Sequence, residues 1–161
     1  MRAVSWHDAT GENVATFWRS LAPSFGHARL QVDLWSTITP GGVPHLVRTI
    51  KDAVMDCDLD LTADYDEGAL GVSDVDGDGV YELTFAYRLA CRGDVSPATL
   101  KVVMLEQRDK YIIRGSDLVD VGEGAPVGGE RQLDVALEES PRFRAHAEAV
   151  WAKIVATPES S

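Results

Sequence analysis

Apolar and polar positions alternate with a period of two over most of the chain, the period of strands with one buried face. Residues 3 to 6 and 13 to 19 flank the turn-forming cluster Asp8-Ala9-Thr10-Gly11-Glu12-Asn13 and predict a first β-hairpin. Over 28 to 38, Leu30, Val32 and Leu34 fall on one side and Arg29, Gln31 and Asp33 on the other. Pro40-Gly41-Gly42-Val43-Pro44 then forces a turn, and His45 to Ile50 reads as the returning strand. The cleanest alternation runs from Asp56 to Asp66, with Cys57, Leu59, Leu61, Ala63 and Tyr65 on one face and Asp56, Asp58, Asp60, Asp64 and Asp66 on the other. Leu83, Phe85, Tyr87, Leu89 and Cys91 share one face of a long strand, which points Cys91 inward as it does Cys57. Leu100 to Leu105 reads as a central strand, and a tight turn at Gln107 to Lys110 leads to the strand Tyr111-Ile112-Ile113-Arg114. Glycines and a proline mark about 120 to 131 as loop. The period then changes to that of a helix over about 141 to 156: Ser140 caps, Pro141 takes the first helical position, Phe143, Ala147, Val150, Trp151 and Ile154 form one stripe, and Pro158 stops it. The pattern predicts a mainly β (α+β) fold, an antiparallel β-sheet or sandwich-like domain with strands over about 3 to 114, closed by one C-terminal helix.

The stretch from Asp74 to Glu82 breaks the alternation with a different regularity. Asp74, Asp76, Asp78 and Glu82 stand at positions 1, 3, 5 and 9 of a loop with Gly79 at position 6. Ca²⁺ takes about six to eight oxygens at about 2.3–2.6 Å, so a chain that binds it must curl to aim alternate side chains at one point, and the glycine permits the sharp turn. The expected ligands are the carboxylates of Asp74, Asp76, Asp78 and Glu82 and the carbonyl of Val80. In an EF-hand the twelfth residue would be a bidentate Glu between two helices; here it is Phe85, inside a strand. The loop instead resembles those of integrin-type (FG-GAP) repeats, in which D-x-D-x-D-G-x-x-D/E sits in a β-hairpin and the ninth residue is a ligand. Asp8-x-Thr10-Gly11 is a fainter echo of the same register, but Trp6 stands where the calcium loop has Asp74, so a turn of similar shape without a metal is expected there.

Composition narrows the function classes. With 161 residues, 45% of them hydrophobic, the chain reads as one domain, 1–161, able to bury a core of its own. Its net charge of −11 is localised, because residues 52 to 82 hold 11 of the 26 acids and no Lys or Arg. That argues for cation binding and against nucleic acid or an anionic membrane as partner, and no run approaches the ~20 apolar residues of a membrane span. Met1-Arg2-Ala3-Val4 shows no signal peptide. Two compartments follow as expectations, the cytoplasm or, with an export signal removed, the periplasm or cell envelope. Cys57 and Cys91 are expected to pair if the protein is exported and to remain buried thiols in a reducing compartment. Five aspartates along one strand face repel one another, so that face is solvated, as at a sheet edge, paired with cations, or offered to a basic protein.

Cys57, the calcium loop, Cys91-Arg92-Gly93-Asp94-Val95-Ser96-Pro97 and Lys110-Tyr111-Ile112-Ile113-Arg114-Gly115 together resemble a family of small bacterial envelope proteins labelled "surface polysaccharide biosynthesis protein". The similarity extends from Ser5-Trp6-His7-Asp8 to the helix bearing Trp151 and is strongest between Asp56 and Gly115. Members carry an export or lipoprotein signal, both cysteines and the loop; this chain departs in the signal. The resemblance implies that loop, cysteine pair and Arg-Gly-Asp segment belong together, and it supplies no catalytic residues. His7, His27, His45 and His146 fall in no hydrolase or zinc motif. The expectation is therefore a calcium-stabilised, non-catalytic envelope domain that binds a protein or glycan, with an enzyme or accessory factor of surface polysaccharide synthesis, or an inhibitor or immunity-type protein using the acidic face, as alternatives.

Overall fold

The computed structural model describes residues 1–122 and 124–156; Pro158, the expected helix stop, lies outside the described residues. The chain opens with a four-stranded antiparallel meander, β1 (Arg2–Asp8), β2 (Gly11–Ala22), β3 (His27–Thr37) and β4 (His45–Val54), in sheet order β1-β2-β3-β4. A second sheet follows from β5 (Asp60–Tyr65), β6 (Gly71–Ser73), β7 (Glu82–Arg92), β8 (Thr99–Glu106) and β9 (Asp109–Ser116). After a two-stranded ribbon of β10 (Leu118–Val119) and β11 (Val127–Gly128), β12 (Arg131–Leu133) joins this sheet, giving the order β12-β9-β8-β7-β5, with β6 beside β5 on the same flank of β7. Two helices close the chain, α1 (Val135–Glu138) and α2 (Pro141–Ile154).

The second sheet is buried on both faces, which is why β7 and β8 carry almost no exposed polar residue. One face packs on the meander: Phe17, Leu30, Val32 and Leu34 meet Leu83, Phe85, Tyr87, Leu89, Val103 and Leu105. The other face receives α2, whose Phe143, Ala147, Trp151 and Ile154 pack on Ala86, Val102, Met104 and Ile113. Ile112 and Ile113, adjacent in β9, enter opposite cores, as the strand period demands. The helical stripe is therefore as expected, with Val150 at its margin, and Pro141 takes the first helical turn. Ser140 stands at the N-cap without a capping bond, its hydroxyl donating instead to the Ala136 carbonyl at 2.8 Å.

Two readings need correction. The Asp56–Asp66 alternation is not one strand, since β5 begins only at Asp60. Asp56 adopts φ +55°, a left-handed conformation that aspartate tolerates. The Cys57 N–H is held by the Gly26 carbonyl at 3.0 Å. Gly26 is itself left-handed, and a Cβ there would lie 2.5 Å from the Cys57 carbonyl oxygen, so only glycine fits. At the other end Asp66 leaves the strand to cap the short 3₁₀ turn Glu67–Ala69. The second correction concerns the loop at about 120 to 131, within which β11 returns to pair with β10 (Leu118–Val119) just before it, and which leads into β12 and α1.

Asp66 also joins the one deeply buried ionic cluster among the described residues. The Arg88 guanidinium, on the helix-facing side of β7, meets Asp66 at 2.5 Å, Asp117 at 3.2 Å and the Ile154 carbonyl at 2.5 Å. It ties the edge turn, the end of β9 and the last turn of α2 to one strand. Removing the cation would strand two buried carboxylates, a change that typically costs about 3–5 kcal/mol. Arg88→Met should therefore lower the urea-unfolding free energy by roughly that amount. A loss under about 1 kcal/mol would show that the cluster is dispensable.

Candidate metal centre

β6 and β7 form a hairpin that pairs Ser73 with Glu82, and Asp74 to Tyr81 are its tip. The aspartates shape this tip by accepting from its own backbone. Asp74 Oδ1 takes the N–H groups of Gly77 (2.8 Å) and Asp78 (3.1 Å), and its Oδ2 takes Gly79 (2.9 Å). Asp78 Oδ1 accepts from Val80 at 2.8 Å. Gly77 and Gly79 are both left-handed, at φ +79° and +89°. The result is a convergence of acids: one carboxylate oxygen from each of Asp74, Asp76, Asp78 and Glu82 lies within 4.8 Å of the others. Two oxygens bound to one ion at about 2.3–2.6 Å can be at most about 5 Å apart, so the four can share a metal ion.

Glu82 gives the strongest indication that they should. It is 0% exposed. Its Oε2 accepts the Val75 N–H at 2.6 Å, while Oε1 is buried with no hydrogen-bond partner. Burial, only partly offset by the Val75 N–H and reinforced by neighbouring Glu106 and Asp76, pushes its pKa up to about 8. A buried charge with an open acceptor is costly unless a cation meets it. An all-carboxylate donor set is also what hard cations such as Ca²⁺, Mg²⁺ or Mn²⁺ prefer.

Two further turns meet the loop. Asp8, in the β1–β2 turn, accepts the Tyr81 N–H at 3.0 Å, and the Ala9 N–H donates to the Gly79 carbonyl at 3.0 Å. Asp8 also accepts from Trp6 Nε1 (3.0 Å), the Thr10 hydroxyl (2.6 Å) and Asn13 (3.1 Å). Burial works to raise its pKa, yet these donors together hold it below the usual carboxylate range. The faint echo of the loop is thus a clip that seats the loop on the first sheet. Gln107, in the β8–β9 turn, donates to the Thr10 hydroxyl at 3.0 Å, and Glu106 precedes it at the end of β8. Glu106 was missed in the sequence because its nearness depends on the β7–β8 register, which aligns Leu83 with Leu105.

Cys57 and Cys91 form a disulfide with Cα atoms 5.7 Å apart. It joins the approach to β5 to the far end of β7, opposite the acidic loop. Cys57 is buried, but Cys91 is exposed, because β7 runs past the core after Leu89. The Arg92–Ser96 segment is ordered through Ser96, whose carbonyl accepts from Arg92 and whose hydroxyl donates to Asp94.

The five aspartates of the expected partner face are dispersed. Asp60 and Asp64 lie on β5, and Asp64 pairs with Arg19 of β2. Asp56 lies 3.7 Å from His27, Asp58 is in the turn before β5, and Asp66 is buried against Arg88. A cleft of about 780 Å³ opens between β2, β5 and the end of α2. The charged groups lining it include the pairs Arg2–Glu67, Arg19–Asp64 and Arg88–Asp66. No helix of the described residues is long and apolar enough to cross a membrane. No protein-family model, curated protein or solved structure matches the chain.

The disulfide closes a loop across a separation of 34 residues. In the chain-entropy model that contributes about 3–4 kcal/mol. Cys57→Ala with Cys91→Ala should lower stability by that order, and alkylation of unfolded, unreduced wild type should add no label. Two labels would show free thiols.

Proposed function

We propose that this is a calcium-stabilised, non-catalytic binding domain that works in the periplasm or cell envelope. The observation that carries the reading is the fully buried Glu82 carboxylate, with an open oxygen, at the convergence of three aspartates. Carboxylates from Asp74, Asp76, Asp78 and Glu82, joined by the Val80 carbonyl, make an oxygen shell of the kind Ca²⁺ takes, and its flexible geometry suits a loop with several ligand types better than the strict octahedron of Mg²⁺. Extracellular calcium modules bind at about 10⁻⁴–10⁻³ M, so such a site fills outside the cytoplasm. The Cys57–Cys91 disulfide agrees with that compartment, because disulfides persist where the surroundings are oxidising.

The ion's role is structural. It neutralises four acids that would otherwise repel at the point where the first hairpin, the β6–β7 loop and the β8–β9 turn meet. Neither an enzyme of polysaccharide synthesis nor an inhibitor using an acidic face gains a specific observation. Six charged groups of the cleft are engaged in the pairs Arg2–Glu67, Arg19–Asp64 and Arg88–Asp66, and the five aspartates point to different surroundings. The domain's ligand is a protein or glycan met elsewhere on its surface.

Chelator-treated protein should melt several degrees lower than protein in millimolar Ca²⁺, since binding the folded state alone adds about 2.7 kcal/mol at a hundredfold excess over Kd. Asp76→Ala with Asp78→Ala should abolish the difference. Equal melting of the wild type with and without Ca²⁺ would overturn the reading.

A further inference from the structure

We propose that the free edge of β4, with the cationic shelf of β8 and β9 beside it, takes an extended acidic segment of a partner protein as a fifth strand of the meander. This rests on the reading of the chain as a binding domain and names where and what it binds; the ion plays no part in it. The meander ends at β4, and Asp52 of that strand accepts from Tyr87 of β7 at 2.9 Å and from Lys101 of β8 at 2.5 Å. β4 therefore lies over β7 and β8, while β9 and β12 continue the second sheet beyond it. Ile113 of β9 and Leu133 of β12 join the core under the helix. On the opposite side of β9, Ile112 belongs to the core between the sheets, and the strand period puts Lys110 and Arg114 on that same side, flanking it. Register sets Arg114 between Lys101 of β8 and Gln132 of β12. Arg48, opposite the buried Leu34, reaches across to the Arg108 carbonyl at 2.6 Å and closes one end of the step.

Arg48, Lys101, Lys110 and Arg114 thus share one strip of a chain whose net charge is −11. Like charges opposite one another on a sheet are destabilising, and Asp52 answers Lys101. Among the described residues, Lys110 and Arg114 have no ion-pair partner. Burial and the neighbouring Arg114 and Arg48 hold Lys110 below the usual lysine range. Charges facing inward beside a sheet edge deter an apolar strand, which would cover them unpaired. The occupant must therefore bring negative charge. An extended segment fits the step: hydrogen-bonded to β4 at about 4.8 Å it lies above β9, and the ~10 Å between packed sheets is spanned by a Lys or Arg reaching up and a Glu reaching down. Lys110 and Arg114 stand about 13 Å apart along β9, and carboxylates at the same interval on the segment repeat that spacing. Main-chain bonds to β4 supply affinity and the carboxylates supply selectivity, the usual division in strand addition.

The test uses the full chain and a peptide of 10 residues, the length of β4, alternating Glu and Thr, beside the same peptide with Lys in place of Glu. Wild type should bind the Glu peptide and not the Lys peptide. Amide hydrogen exchange followed by NMR should then show protection gained at alternate residues of β4, those whose N–H groups turn away from β3. Lys110→Glu with Arg114→Glu should weaken the Glu peptide by about tenfold or more and take up the Lys peptide instead, a swap that a misfolded variant would not give. No binding of the Glu peptide at millimolar concentration would overturn the proposal, as would protection gained at β1 instead of β4. Polygalacturonate bound in place of the peptide, with the β4 amides unprotected, would make the ligand an anionic glycan and overturn strand addition. The Ca²⁺-dependent rise in melting is measured on the same protein: it persists if the shelf alone is wrong, and its absence beside peptide binding would overturn the calcium reading alone.

Discussion

A carboxylate removed from water at the first residue of β7 is the constraint from which the rest of the site follows. Glu82 begins β7, and β7 pairs with β5, β6 and β8, packs on the meander through one face and on α2 through the other. An uncompensated charge there would cost several kcal/mol, a large part of the margin by which a domain of this size is folded. The loop before it brings three aspartates to the same point, where the four acids could hold a metal ion, and the turns around it hold the loop in place. Sheet order, the tip of the first hairpin and the acidic loop are thus parts of one arrangement around a shared charge.

That arrangement explains how the two ends of the sandwich divide their tasks. At the acidic end, three turns from distant parts of the chain are drawn together by Asp8, Gln107 and the loop, with carboxylates converging at the centre. At the other end the Cys57–Cys91 bond fastens the approach to the edge strand. Between them the Arg88 cluster fixes the helix to the sheet with charges that satisfy one another. The first and third both bury acids; the third contains its own cation, and the first could hold one from solution.

What was legible in the sequence was local. The strands β1 to β5 and β7 to β9 and the α2 stripe followed from periodicity, and the Asp74–Glu82 cluster from the spacing of its acids, because each pattern is set by residues close in the chain. What depended on register was hidden. Glu106 lies 24 residues beyond Glu82 in a different strand, and Asp8 became a clip only when the first sheet folded over the second. Alternation misled at Asp56 to Leu59, where a disulfide and a close glycine contact hold the backbone in a turn that its two-residue period does not announce. β12 and α1 were too short to imprint a period, and α1 depends on a local cap, the Asp134 carboxylate accepting the Leu137 N–H at 2.9 Å.

Diffraction from crystals grown in millimolar CaCl₂ tests the central claim most directly, with anomalous scattering recorded to identify the ion. The account predicts one calcium peak at the β6–β7 tip, at about 2.3–2.6 Å from oxygens of Asp74, Asp76, Asp78 and Glu82. A loop with the same backbone and no anomalous peak, its buried Glu82 oxygen met by water or by a proton shared with Glu106, would contradict it.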